Sequence, residues 1–158
     1  MNIDLQFEVQ NLNARYAAAI DENQLEAWPD FFTTDGRYRV TTADNFEKGL
    51  PLALIYATSR AMLRDRVRSL RDANVYEAQR YRHVIGTAII RAEGEREVRA
   101  QTSFMVARIM HTGESTLFAT GSYRDHIVLG AAGGEAHFAE KVVILDSRLV
   151  DTLLAIPL

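Results

Sequence analysis

The chain has 158 residues, of which 47% are apolar and 25% charged; that is the size and balance of one globular domain with a real core, and it excludes a disordered tail or a fibrous repeat. There are no cysteines, which excludes disulfides, thiolate metal sites and thiol catalysis, so any iron–sulfur centre must belong to a partner. The net charge of −3 argues against a nucleic-acid binder, and neither an apolar run of membrane-spanning length nor a secretory leader is visible, so the expected location is cytoplasmic.

In chain order, Leu5, Val9, Leu12, Tyr16 and Ile20 fall on one helical stripe, with Asp4 as the expected N-cap. A second short helix is expected from Asn23, with Glu26 as capping-box partner and Leu25, Trp28, Phe31 and Phe32 buried, until Pro29 kinks or ends it. Asp35-Gly36 signals a turn, and Arg37-Tyr38-Arg39-Val40-Thr41 alternates as a strand with Tyr38 and Val40 inward. Residues 43–58 have no clean period and read as an irregular excursion. From Ser59, an N-cap, a third helix reaches about Ala73. Its apolar stripe is Leu63, Val67 and Leu70, and Arg60, Arg64, Arg68 and Arg71 form a second stripe about 90° away.

The period then changes from 3.6 to 2. Strands are expected over 83–92, 97–111, 116–129 and 137–150, separated by Glu93-Gly94-Glu95, Thr112-Gly113-Glu114 and the segment from Gly130 to Gly134. In the second of these, Val98, Ala100, Thr102, Phe104, Val106 and Met110 share a face, while Arg99, Gln101, Ser103 and Arg108 show that neither face is purely apolar. Helices followed by an antiparallel meander define an α+β class.

Charge is unevenly spread. Residues 1–50 carry nine acids against four bases, residues 60–82 carry seven arginines against three acids, and 16 of the 18 basic residues are arginine. Arginine's planar fork suits fixed ion pairs at interfaces, which makes Arg60, Arg64, Arg68 and Arg71 interface candidates.

The signatures of nucleotide loops, nucleophile elbows and helical zinc sites are absent. His83, His111, His126 and His137 lie on different expected strands, with no helical metal-pair spacing among them. Asp125 and His126 are neighbours on a strand and point to opposite faces, so they cannot orient one another. Tyr16, Asp21, Asp35, Tyr38 and His83 are candidates to line a space between helix and sheet, where such groups would transfer protons; the competing reading is core tyrosines with satisfied hydroxyls. Trp28, Phe31 and Phe32 likewise read as core before ligand wall.

Several motifs together resemble one family. They are W-P-x-F-F at 28–32, Tyr38-Arg39-Val40-Thr41, Asp44-Asn45, Gly49, Asp65-Arg66-Val67-x-x-Leu70, Tyr81-Arg82-His83, FMVARIMHTGE from Phe104 to Glu114, Gly121-x-Tyr123 and the ending from Asp151 to Leu158. The chain is similar over essentially its whole length to the small (β) subunits of Rieske-type aromatic-ring-hydroxylating oxygenases, above all those serving aromatic carboxylates of the terephthalate, salicylate or anthranilate type. The resemblance implies a single domain over 1–158 with the cone-shaped nuclear transport factor 2-like (cystatin-like) fold. It also implies trimeric self-association within an α₃β₃ hexamer, in which the large (α) subunit holds the Rieske [2Fe-2S] cluster and the mononuclear Fe(II). No catalytic, cofactor-binding or metal-binding residue of the family carries over onto this chain. The alternative is a free-standing pocket enzyme of the same fold, a dehydratase or isomerase, which needs a hydrated cavity where the assembly subunit fills its cone with side chains.

Overall fold

The computed structural model describes residues 2–73, 77–149 and 154–158. Helix α1 (Ile3–Asp21) buries Val9, Leu12, Tyr16 and Ile20 of the stripe its spacing predicts, and Leu5 at the start of that stripe is only partly buried. Its N-cap is Asn2 and not Asp4, because the Asn2 side chain reaches the Leu5 N–H at 3.2 Å, which leaves Asp4 in the first turn facing the helix dipole.

The expected second helix is replaced by turns and a 3₁₀ turn, Trp28–Phe31. Asn23 adopts a left-handed φ of 58°, and Pro29 supplies no N–H, so a regular helix cannot pass through. Glu26 pairs with Arg71 instead of capping. Leu25, Trp28 and Phe32 are buried as expected, Phe31 only partly.

Strand β1 (Phe32–Thr42) begins earlier than Arg37 and absorbs Asp35-Gly36 as an irregularity in its pairing between Phe32 and Arg37. Gly36 is required there, since a Cβ would sit 2.9 Å from both the Phe32 Cβ and the Thr33 carbonyl. Tyr38 and Val40 are fully buried. The excursion contains a short helix α2 (Ala43–Glu47), capped by Thr42, and an edge strand β2 (Ile55–Ala57). Helix α3 (Arg60–Ala73) follows; the Ser59 hydroxyl accepts from the Met62 N–H at 3.2 Å, and Leu63 and Val67 are buried.

Strands β3 (Gln79–Ile85), β4 (Ile89–Ala92), β5 (Glu97–Met110), β6 (Ser115–Val128) and β7 (His137–Leu145) complete the fold. The single strand expected over 83–92 is two, broken at residues 86–88, and both pair with β5 along the same edge. The strand expected over 137–150 stops at Leu145, and its expected end at Val150 lies outside the described residues. The sheet order is β2-β1-β7-β6-β5-β3, antiparallel except where β7 runs parallel to β1. One face packs on α1, the 3₁₀ turn and α3, and that face holds the core. Arg108 shares the parity of Val106 and is buried against the Phe118 ring, 4.7 Å from its centroid, so its charge lies on the core side.

Candidate functional site

The enclosed space between α1, α3 and the sheet is the place where candidate chemistry converges. Tyr16 enters from α1, Trp28 from the 3₁₀ turn, Tyr38 from β1, Tyr123 from β6 and Phe138 from β7; all are fully buried and packed mostly edge to face. Instead of a solvated chamber, residues 154–158 fill the space, with Leu154, Ala155, Ile156 and Leu158 buried. The Tyr16 hydroxyl donates to the Leu158 carbonyl at 2.5 Å and the Tyr38 hydroxyl donates to it at 3.1 Å, while the Leu158 N–H donates back to the Tyr38 oxygen at 3.0 Å. Arg66 on α3 donates to the carbonyls of Leu154 and Ala155 at 3.0 and 3.2 Å. The cavity left against this segment, between Phe118, Leu145, Leu154 and Leu158, is about 20 Å³. That is room for one water molecule and not for a substrate.

Burial pushes the Tyr38 phenol up to about 12 and holds Tyr16 and Tyr123 well above the ordinary tyrosine range. All three therefore stay protonated near neutrality; Tyr16 and Tyr38 act as donors and Tyr123 as a packing group, none of them as a base.

Deeper in the core, Lys141 and Asp125 form an ion pair with neither side chain exposed, Nζ lying 3.1 and 3.0 Å from the two carboxylate oxygens. The ammonium sits 3.7 Å from the Tyr123 ring centroid and 4.2 Å from that of Phe138, so aromatic faces supply part of the solvation it lost. Desolvation raises the Asp125 pKa and lowers that of Lys141, and their mutual attraction opposes both shifts. Sequence reasoning passed over this pair and over Arg66. The visible signal was parity: Asp125 alternates with Tyr123 and Ile127, and Lys141 with Val143, all inward-facing.

Of the five residues expected to line one site, the structure makes two separate groups and leaves one out. Tyr16 and Tyr38 meet at Leu158. Asp21 and His83 meet elsewhere, His83 Nδ1 lying 2.6 Å from Asp21 Oδ1 and the His83 N–H donating to Asp21 Oδ2 at 2.9 Å. This dyad is buried, and its Nε2 has no hydrogen-bond partner. Asp35 is exposed and accepts from the Thr33 hydroxyl. The other histidines have separate partners: His111 with Glu77, His126 with Glu97 and His137 with the Glu135 carbonyl. Among the described residues no three His, Asp or Glu side chains come together in an arrangement that could hold a metal ion.

The four candidate arginines of α3 make contacts within the chain. Arg60 donates through Nε and Nη2 to the Phe32 carbonyl, Arg64 pairs with Asp30 at 3.0 Å, Arg68 with Asp65 at 3.6 Å, and Arg71 with Glu26 at 2.7 Å and with the Asn23 side chain at 2.8 Å. Arg60 reaches a partly buried acceptor, whereas Arg64, Arg68 and Arg71 stand at the surface.

Residues 15–152 match the family model described as the ring hydroxylating beta subunit. The chain is 42% identical over 153 residues to the terephthalate 1,2-dioxygenase terminal oxygenase component subunit beta 1 of a Comamonas species, covering 97% of this chain and 98% of the relative. It is 38% identical over 152 residues to the anthranilate 1,2-dioxygenase small subunit of Burkholderia cepacia, covering 96% and 93%. Among solved structures, a chain of Novosphingobium aromaticivorans assigned as the beta subunit of an aromatic-ring-hydroxylating dioxygenase superposes with a TM-score of 0.88 at 34% identity, covering 98% of this chain and 97% of the other. A scytalone dehydratase-like chain of the same organism matches with a TM-score of 0.72 at 15% identity, covering 98% and 93%, and shares the fold alone.

Proposed function

The chain belongs to the ring-hydroxylating beta-subunit family, and from that premise we propose that it is the non-catalytic assembly subunit of a terminal oxygenase. The observation that carries the proposal is the filled interior: where an enzyme of this cone shape would hold substrate, Leu154–Leu158 lie locked onto Tyr16, Tyr38 and Arg66. The pocket-enzyme alternative needs the space that this segment occupies.

In this reading the partner is a large (α) subunit that carries the Rieske [2Fe-2S] cluster and the mononuclear Fe(II). The residues of this chain do not fit either centre. A Rieske cluster takes two cysteines and two histidines, and the chain has no cysteine. The mononuclear site takes two histidines and a carboxylate on one face, whereas these histidines are dispersed over separate partners. The stoichiometry proposed is α₃β₃ with the small subunits as a trimer, each one domain over 1–158, in the cytoplasm. The substrate class proposed is a monocyclic aromatic carboxylate, supported by the two relatives named for terephthalate and anthranilate. Arg60, Arg64, Arg68 and Arg71 remain the proposed interface residues, because α3 carries them along one row in which Arg64, Arg68 and Arg71 are exposed and Arg60 is half-buried.

The test is co-expression with the large subunit of the same oxygenase. The expected result is stable co-purification, with iron and turnover found only when the large subunit is present. Stoichiometric iron or oxygen-dependent hydroxylation by this chain alone would overturn the proposal.

A further inference from the structure

The sheet face turned away from α1 carries a trough of about 550 Å³ between α2 and β4, and its charge is not balanced within the chain. Arg99 is matched by Glu93 at 2.8 Å and Glu140 by Arg37 at 3.3 Å, and the Asp125 carboxylate is committed to Lys141 on the opposite face. Arg39, Arg91 and Arg124 then remain around the trough with no carboxylate partner among the described residues, Arg124 bonding only to the Gln101 side-chain oxygen. Phe46 and Ile89, 38% and 71% exposed, supply its apolar lining. Aromatic and aliphatic side chains beside arginines are the composition of a protein interface and not of an ordinary wet surface.

The complement lies on the same chain. The first two turns of α1 expose Ile3 and Phe7, at 72% and 68%, on the side turned from the buried stripe, and Asp4 and Glu8 follow each of them by one residue. Neither carboxylate has a basic partner among the described residues. Ile3 and Phe7 stand one turn apart and form a contiguous exposed apolar ridge, the kind of patch that marks an interaction site.

We propose that the Ile3–Asp4–Phe7–Glu8 ridge of one copy seats in the Arg39–Arg91–Arg124 trough of the next. The two surfaces differ, so the contact is heterologous and closes into a ring when its rotation permits. A second copy is the fitting occupant because each copy carries both an acidic ridge and a basic trough, with apolar residues in each. This inference rests on the trimer reading above and names the surfaces through which that trimer forms.

The experiment is sedimentation equilibrium on the full chain at tens of micromolar, with circular dichroism confirming that each variant is folded. All substituted side chains are exposed. The parent is expected to be trimeric at low salt. The pair Asp4→Arg with Glu8→Arg, and separately the pair Arg91→Glu with Arg124→Glu, should each weaken association by at least about tenfold, and combining all four should restore it. A trimeric parent whose variants associate equally well, or a combined variant that stays dissociated, overturns the docking while leaving the trimer standing. A parent that stays monomeric, alone and in complex with the large subunit, overturns the trimer reading and this inference with it.

Discussion

Removing the Lys141 ammonium would strand the Asp125 carboxylate in a site with no solvent, because both side chains are fully buried and each is the other's counter-charge. Lys141→Ala is therefore expected to cost about 3–5 kcal/mol in urea unfolding, whereas a surface pair contributes about 0–1 kcal/mol. The tyrosines that hold Leu158 should differ from each other. Tyr16→Phe removes one of two donors to the Leu158 carbonyl and should cost about 0.5–1.5 kcal/mol. Tyr38→Phe strands the Leu158 N–H as well and should cost about 1–3 kcal/mol, so equal losses from the two changes would contradict the arrangement. Glu26 gives the pH signature: its hydrogen bonds from Arg71 hold its pKa at about 2. A depressed folded pKa stabilises above the unfolded value and loses that contribution as pH falls toward 2. Glu26 is mostly exposed, so Glu26→Gln should lower stability at neutral pH by no more than about 1 kcal/mol, with the difference vanishing near pH 2 in paired urea titrations.

Elements whose faces alternate cleanly were legible in the sequence, and those set by long-range pairing were not. The α1 and α3 stripes, the inward Tyr38 and Val40, and β5 and β6 follow from period alone, because one face of each is buried by several residues at regular spacing. The segment from Asn23 to Phe32 failed because a left-handed residue and a proline break a helix whose apolar spacing otherwise looks regular. The parallel β1–β7 pairing is set by the closure of the sheet and leaves no local trace. Gly121 marks one such closure: a Cβ there would lie 1.9 Å from the Ile144 carbonyl of β7 and 3.1 Å from the Phe104 ring. Gly121→Ala must push β6 from β7, and a loss of about 1–3 kcal/mol or more in thermal unfolding is expected; a silent substitution would show that the strands part without cost.

For the whole molecule, the sequence made the absence of thiol ligands and the family pattern readable, but not what occupies the cone. That outcome depends on where residues 154–158 dock, and their apolar composition is equally compatible with a surface strand. Of the five residues expected to share one site, only geometry showed that Tyr16 and Tyr38 clamp a backbone segment, that Asp21 and His83 form a separate buried pair and that Asp35 stands exposed apart from both. The central claim, that this chain organises an oxygenase without taking part in its chemistry, is tested most directly by turnover per assembled complex. His83→Gln and Tyr16→Phe chains would be assembled separately with the large subunit, complexes of equal iron content isolated, and steady-state kcat for the aromatic acid measured. The account predicts kcat within about twofold of the parent for both, since neither group would touch substrate; a fall of about tenfold or more, with assembly and iron content intact, would contradict it.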